Sequence, residues 1–183
     1  MRHFIFIGIF IFLSQFVFSQ ENELLTYNSS VLNWTHYAKS EKPSGYQNAF
    51  TYCGINYVVH ATTHGYLVVY ESFVDLSSSW VLRGKESKAL LRHEQGLFDL
   101  TELYARKMNK QISDYMKQQK NLLTYESLSE MAKKIYKEQN NKLFQEQLQY
   151  NAQTNNGLNE LEQTRWEQKV KTELTKLESF RTK

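Results

Sequence analysis

The chain opens on an unbroken apolar run, residues 4–13, with Arg2 and His3 before it and Phe16, Val17, Phe18 and Ser19 after it. A membrane-spanning helix needs about 20 apolar residues, so the run is short for one. A basic start, an apolar middle and a small residue at the end make residues 1–19 a secretory signal peptide, cleaved on export. An uncleaved anchor helix is the alternative. Two textures follow. Residues 24–82 mix aromatic and β-branched residues with Ser, Thr and Gly, which is a strand pattern. Within them, residues 50–60 and 66–74 read as an antiparallel hairpin closed by the polar loop 61–65, and residues 25–34 as a further strand. Residues 41–45 and 77–79 read as loops. Residues 84–181 are rich in Lys, Glu, Gln and Leu, contain no proline, and read as helices.

The first helix is expected over residues 85–118. At about 100° per residue, Leu90, Leu97, Thr101, Tyr104, Ala105, Met108 and Ile112 share one arc. Arg92, Asp99, Arg106 and Lys110 fall opposite, so the helix should bury one face. A second helix covers residues 124–150, where Ser127 and Glu130 form a capping box. Residues 151–159 are a break punctuated by Gly157, and a third helix covers residues 160–180. The expected fold is α+β: a small antiparallel sheet in the N-terminal half packed on a bundle of about three long helices, one domain over residues 20–183.

Composition narrows the function. At 183 residues the chain makes one domain, and 41% hydrophobic residues are enough for a core. Lys and Arg number 22 against 19 Asp and Glu, a net charge of +3, without the basic excess of a nucleic-acid binder. The single cysteine, Cys53, excludes an internal disulfide framework and a multi-cysteine zinc site. Its apolar surroundings suit a buried small residue rather than a reactive thiol. The many tyrosines are read as β-propensity and core packing, with a sugar- or peptide-binding surface as the alternative. Ser77, Ser78 and Ser79 lack the glycine-flanked turn of a serine nucleophile, and there is no phosphate-cradling glycine loop.

The candidate chemistry lies on the first helix. His93 and Glu94 fall within its apolar arc, and burying such a pair is unfavourable unless both groups are bonded. A metal ion with an activated water would satisfy them. In the helical motif H-E-x-x-H two imidazoles one turn apart hold zinc, and the Glu between them is the general base toward the zinc-bound water. Here the fifth position is Leu97. The wider string is more specific. It resembles a family of exported bacterial proteins of unknown function described as predicted zinc-dependent proteases, whose helix reads H-E-Q-x-H-F-D with a Glu in the next turn. His93, Glu94, Gln95, Phe98, Asp99 and Glu102 match. Trp34 and Tyr37 match an early W-x-x-[FY] segment, and Ser79, Trp80 and Val81 match the S-W-V before the helix. Thr154, Gly157, Gln163 and Trp166 match a later T-x-H-G segment and its downstream Q-x-x-W. The resemblance spans about residues 32–175.

It implies a zincin-like active-site helix, a zinc cofactor, peptidase chemistry and export to the periplasm or beyond. The chain departs from the pattern twice: Leu97 replaces the second motif histidine and Asn156 replaces the histidine of T-x-H-G. If the family's zinc uses the helix pair and the later histidine, this chain keeps one ligand of three. Leu has no donor atom, and an amide oxygen is a poor ligand in such a site. The leading expectation is a non-catalytic relative that acts by binding a peptide or protein partner, with no nucleic acid and no stable membrane span once the signal is removed. The alternative is an active metallopeptidase with an altered ligand set: His93 as ligand, Glu94 as general base and Glu102 or another carboxylate as substitute ligand. Glu126, Glu130, His60 and His64 are further rescue candidates. A purely structural envelope protein is the third reading.

Overall fold

In a computed structural model of the protein, residues 24–27, 31–41, 47–119 and 123–182 are described. The expected signal peptide lies outside them, as does most of the loop expected at 41–45. The strands are β1 (Leu24–Thr26), β2 (Ala38–Ser40), β3 (Ala49–Phe50), β4 (Cys53–Thr62), β5 (Gly65–Asp75) and β6 (Trp80–Leu82). The helices are α1 (Lys88–Gln118), α2 (Tyr125–Thr154) and α3 (Glu160–Lys176), with 3-10 turns at Trp34–His36 and Glu178–Phe180. The fold is α+β, as the two textures predict.

The described residues form two sheets rather than one. β1, β5 and β4 form an antiparallel sheet in the order β1-β5-β4. β2, β6 and β3 form a second, mixed sheet in which β2 runs parallel to β6. In the long hairpin Tyr57 pairs with Tyr70, and Ala61 and Thr62 continue the ladder opposite Tyr66 and Gly65. The loop is therefore shorter than the five residues expected. On β5 the side chains alternate, so Val68, Tyr70, Ser72 and Val74 are buried. The expected strand at 25–34 shrinks to β1, and Trp34 belongs to a 3-10 turn instead.

α1 is the central element. Ser87 caps it, its hydroxyl accepting from the Leu90 amide at 3.1 Å. α2 starts at the cap Thr124, which accepts from the Ser127 amide at 3.2 Å, so the box expected at Ser127 and Glu130 sits one turn too late. The expected single buried face of α1 also needs correction. The antiparallel sheet, α2 and α3 all pack on α1, and Arg106, placed opposite the apolar arc, is only 3% exposed. Its guanidinium bonds Glu102 at 2.8 Å, Glu178 at 2.5 Å and the Leu174 carbonyl at 2.8 Å. Ser72 completes the group by donating to Glu102 at 2.7 Å.

The larger apolar cluster joins the hairpin to all three helices through residues such as Tyr70, Leu103, Met108, Ile135 and Trp166. A smaller one joins the mixed sheet to the start of α1 through Tyr37, Val74, Val81 and Phe98. Among the described residues no helix is long and apolar enough to cross a membrane.

Candidate functional site

His93 and Glu94 lie in the second turn of α1 and are 2% and 3% exposed. Adjacent side chains leave a helix about 100° apart, so the two meet different supports.

The His93 ring stacks on Tyr150 of α2, with centroids 4.7 Å apart and planes within 3°. Thr154, the last residue of α2, brings its hydroxyl 3.3 Å from His93 Nδ1. That hydroxyl directs its one hydrogen to the Tyr150 carbonyl at 2.7 Å, so toward the imidazole it is an acceptor. Nδ1 therefore carries the ring hydrogen and Nε2 keeps its lone pair. Burial pushes the imidazole pKa down from 6.5 to about 4, and the nearby Gln163 and Asn151 side chains offset this only in part.

The resemblance residues of the later segment stand behind this ring. The Tyr150 hydroxyl lies 3.0 Å from the His93 carbonyl and receives Gln163 Nε2 at 2.9 Å. Trp166 packs edge-on to Tyr150 at 5.5 Å, and its indole N–H donates to Gln153 at 2.8 Å. Gly157 packs on His93 itself: its φ is +84°, and a Cβ there would fall 2.8 Å from the His93 Cβ. Asn155 and Asn156 are left-handed too, at φ 48° and 51°, so three consecutive residues turn the chain from α2 toward α3 beside the imidazole.

Glu94 is held from the other side. Thr51 donates to Glu94 Oε2 at 2.5 Å. The Tyr37 hydroxyl lies 2.7 Å from Thr51 Oγ1. Thr51 has one hydrogen and gives it to Glu94, so Tyr37 donates to Thr51. Burial raises the Glu94 pKa from 4.5 to about 7, against the lowering effect of the Thr51 bonds.

Both groups line a cavity of about 890 Å³, and so do Leu97, Asn156 and Gly157. That volume suits a small ligand or short peptide. Asn151 Oδ1, on the same wall, is buried without a hydrogen-bond partner among the described residues. An unsatisfied buried oxygen is unfavourable by about 1–3 kcal/mol. Cys53 also lines the cavity, half-buried rather than fully buried. Burial pushes its thiol up to about 11, despite the Thr101 hydroxyl at 3.2 Å, which suits an unreactive group.

The other residues singled out from the sequence lie elsewhere. Glu102 is a correction: it does not line the cavity, because Arg106 and Ser72 hold its carboxylate inside the fold. Gln95 and Asp99 face the N-terminal segment. Gln95 accepts from the Leu32 amide at 3.0 Å and donates to Asp99 at 2.7 Å, and Tyr27 donates to Asp99 at 3.0 Å. Glu126 and Glu130 are exposed at the far end of α2, about 30 Å along the helix from Tyr150. His60 and His64 are exposed near the hairpin tip.

A catalytic zinc takes three protein ligands, and among the described residues no group of three His, Cys, Asp or Glu could hold a metal. Thr51, Tyr150 and Asn151 are the site residues that sequence reasoning missed. Tyr150 had a signal: it lies one helical turn before Thr154, on the same face.

No protein-family model, curated protein or solved structure matches the chain.

Proposed function

We propose that this is an exported, non-catalytic relative of the predicted bacterial zinc-dependent proteases, whose former metal site works as a binding cavity. One observation carries the reading. His93, Glu94, Leu97 and Asn156, picked out by the resemblance from two segments about 60 residues apart, line one cavity. Thr154, Gln163 and Trp166 support it from behind. The framework is kept, while two positions of the implied ligand set lack a metal-binding donor. The apolar run and its flanks at residues 1–19 add an export address, with the periplasm or the medium as destination.

One observation favours the second reading, an active metallopeptidase with an altered ligand set. A buried carboxyl titrating at about 7 is well poised as a general base. Against it, the substitute ligand it names, Glu102, is bound to Arg106.

Elemental analysis and a casein assay decide between them. The expected result is far less than one zinc per chain and no chelator-sensitive cleavage. Zinc near one per chain, with cleavage lost in Glu94→Gln, would overturn the proposal. In the Leu97→His/Asn156→His variant zinc binding should appear, because both positions face the His93 cavity.

A further inference from the structure

The cavity is ringed by apolar side chains that no other described residue covers. Of eleven large hydrophobic residues exposed among those described, Phe50, Tyr52, Phe144, Leu148 and Leu158 line it. They form two lips: Phe50 and Tyr52 from β3 and the strand connection, and Phe144, Leu148 and Leu158 from the end of α2 and the turn after it. Leu158 is 79% exposed. Scattered exposed apolar residues need no explanation, but a cluster around one opening marks a binding site.

The floor between the lips is polar and carries little charge. Gln147, Asn151 and Asn156 bring amides to it, with the Gln147 N–H already donating to Thr101 Oγ1 at 3.3 Å and the Asn151 Oδ1, unpartnered among the described residues, closed off within the wall. Apart from Glu94, the charged lining residues are Lys85 and Glu86, and Glu86 is paired with Lys39 at 3.1 Å. A hydrocarbon chain would fit the lips but bring no hydrogen-bonding group to the exposed Asn156 amide. A charged ligand would meet no compensating cluster. A peptide brings N–H and C=O groups for the amides and side chains for the lips.

We infer that the cavity takes an uncharged peptide segment whose hydrophobic side chains rest on the two lips and whose backbone meets the amide floor. This rests on the binding reading above. Phe50, Tyr52, Phe144, Leu148 and Leu158 then set its specificity.

The test uses the purified protein and a blocked, fluorescein-labelled pentapeptide, Ala-Leu-Phe-Leu-Ala, beside a charged one, Ala-Glu-Ser-Lys-Ala. Anisotropy should show saturable binding of the first and at least tenfold weaker binding of the second. Phe144→Ser/Leu158→Ser should weaken the first at least tenfold without changing the thermal melt, since both side chains are exposed. No saturable binding, equal binding of the charged peptide, or binding unchanged in the double variant overturns the inference. So does binding of decanoate with none of the peptide. A dimer that the double variant dissociates overturns it as well, because a second copy then covers the lips. Peptide that binds and is recovered cut supports the peptide class and instead overturns the non-catalytic reading.

Discussion

His93 and Glu94 are driven to neutrality from opposite directions by the same burial. The native imidazole binds its second proton only near pH 4, against 6.5 for the free group. Between those values the unfolded chain holds a proton that the native one lacks, so the His93 contribution to stability rises with pH. The native carboxyl keeps its proton up to about pH 7, against 4.5 for the free group. There the native chain holds the extra proton, so the Glu94 contribution falls as pH rises. The two slopes cancel between pH 4.5 and 6.5. At 1.36 kcal/mol for each tenfold change in proton affinity, each group alone gives a swing of about 3 kcal/mol. Glu94→Gln should therefore gain stability as pH rises through 4 to 6.5, and His93→Gln should lose it from 4.5 to 7. Urea unfolding at several pH values reads both slopes, and flat profiles in the two variants would refute the assigned protonation states.

Single elements hold their shape through groups that periodicity misplaces. Arg106→Met should destabilise the protein by about 3–5 kcal/mol, because Glu102 is left buried without its cation. Adding Glu102→Gln should recover most of that loss. A double variant as unstable as the single one in urea unfolding would show that packing, not the orphaned charge, is responsible. The same residues show how far sequence reading reaches. The first helix was legible from its 3.6-residue period, the other two from a proline-free run rich in Lys, Glu, Gln and Leu broken at Gly157. Arg106 was not, because that period assumes one buried face and α1 is covered on several. The mixed sheet was hidden too: β2 and β6 are three residues each and pair in parallel across some 40 residues, with no local pattern to announce it. At the site, His93 and Glu94 were visible as a motif. Thr51 was not, because it is one hydroxyl on a distant strand connection, 43 residues from the carboxyl it serves.

At the scale of the whole molecule, the last described residues are fastened to the middle of the chain. Asn109 donates to the Phe180 carbonyl at 3.1 Å, Thr182 donates to the Tyr70 carbonyl at 3.1 Å, and Glu178 pairs with Arg106. Deleting residues 177–183 should lower the melting temperature by about 5–10 °C, the scale of a few kcal/mol lost from a domain of this size. A circular-dichroism melt checks this, and an unchanged midpoint would mean that the segment is dispensable.

The Arg106 cluster also sets an order of events. A ribosome releases Arg106 and Glu102 together, but Glu178 follows Arg106 by 72 residues. Domains close late when their contacts span long stretches of chain. Until residues 174–178 are made, the guanidinium of Arg106 lacks a carbonyl and a second carboxylate. The cluster that closes around Arg106 is therefore complete only once α3 and the 3-10 turn after it have been made.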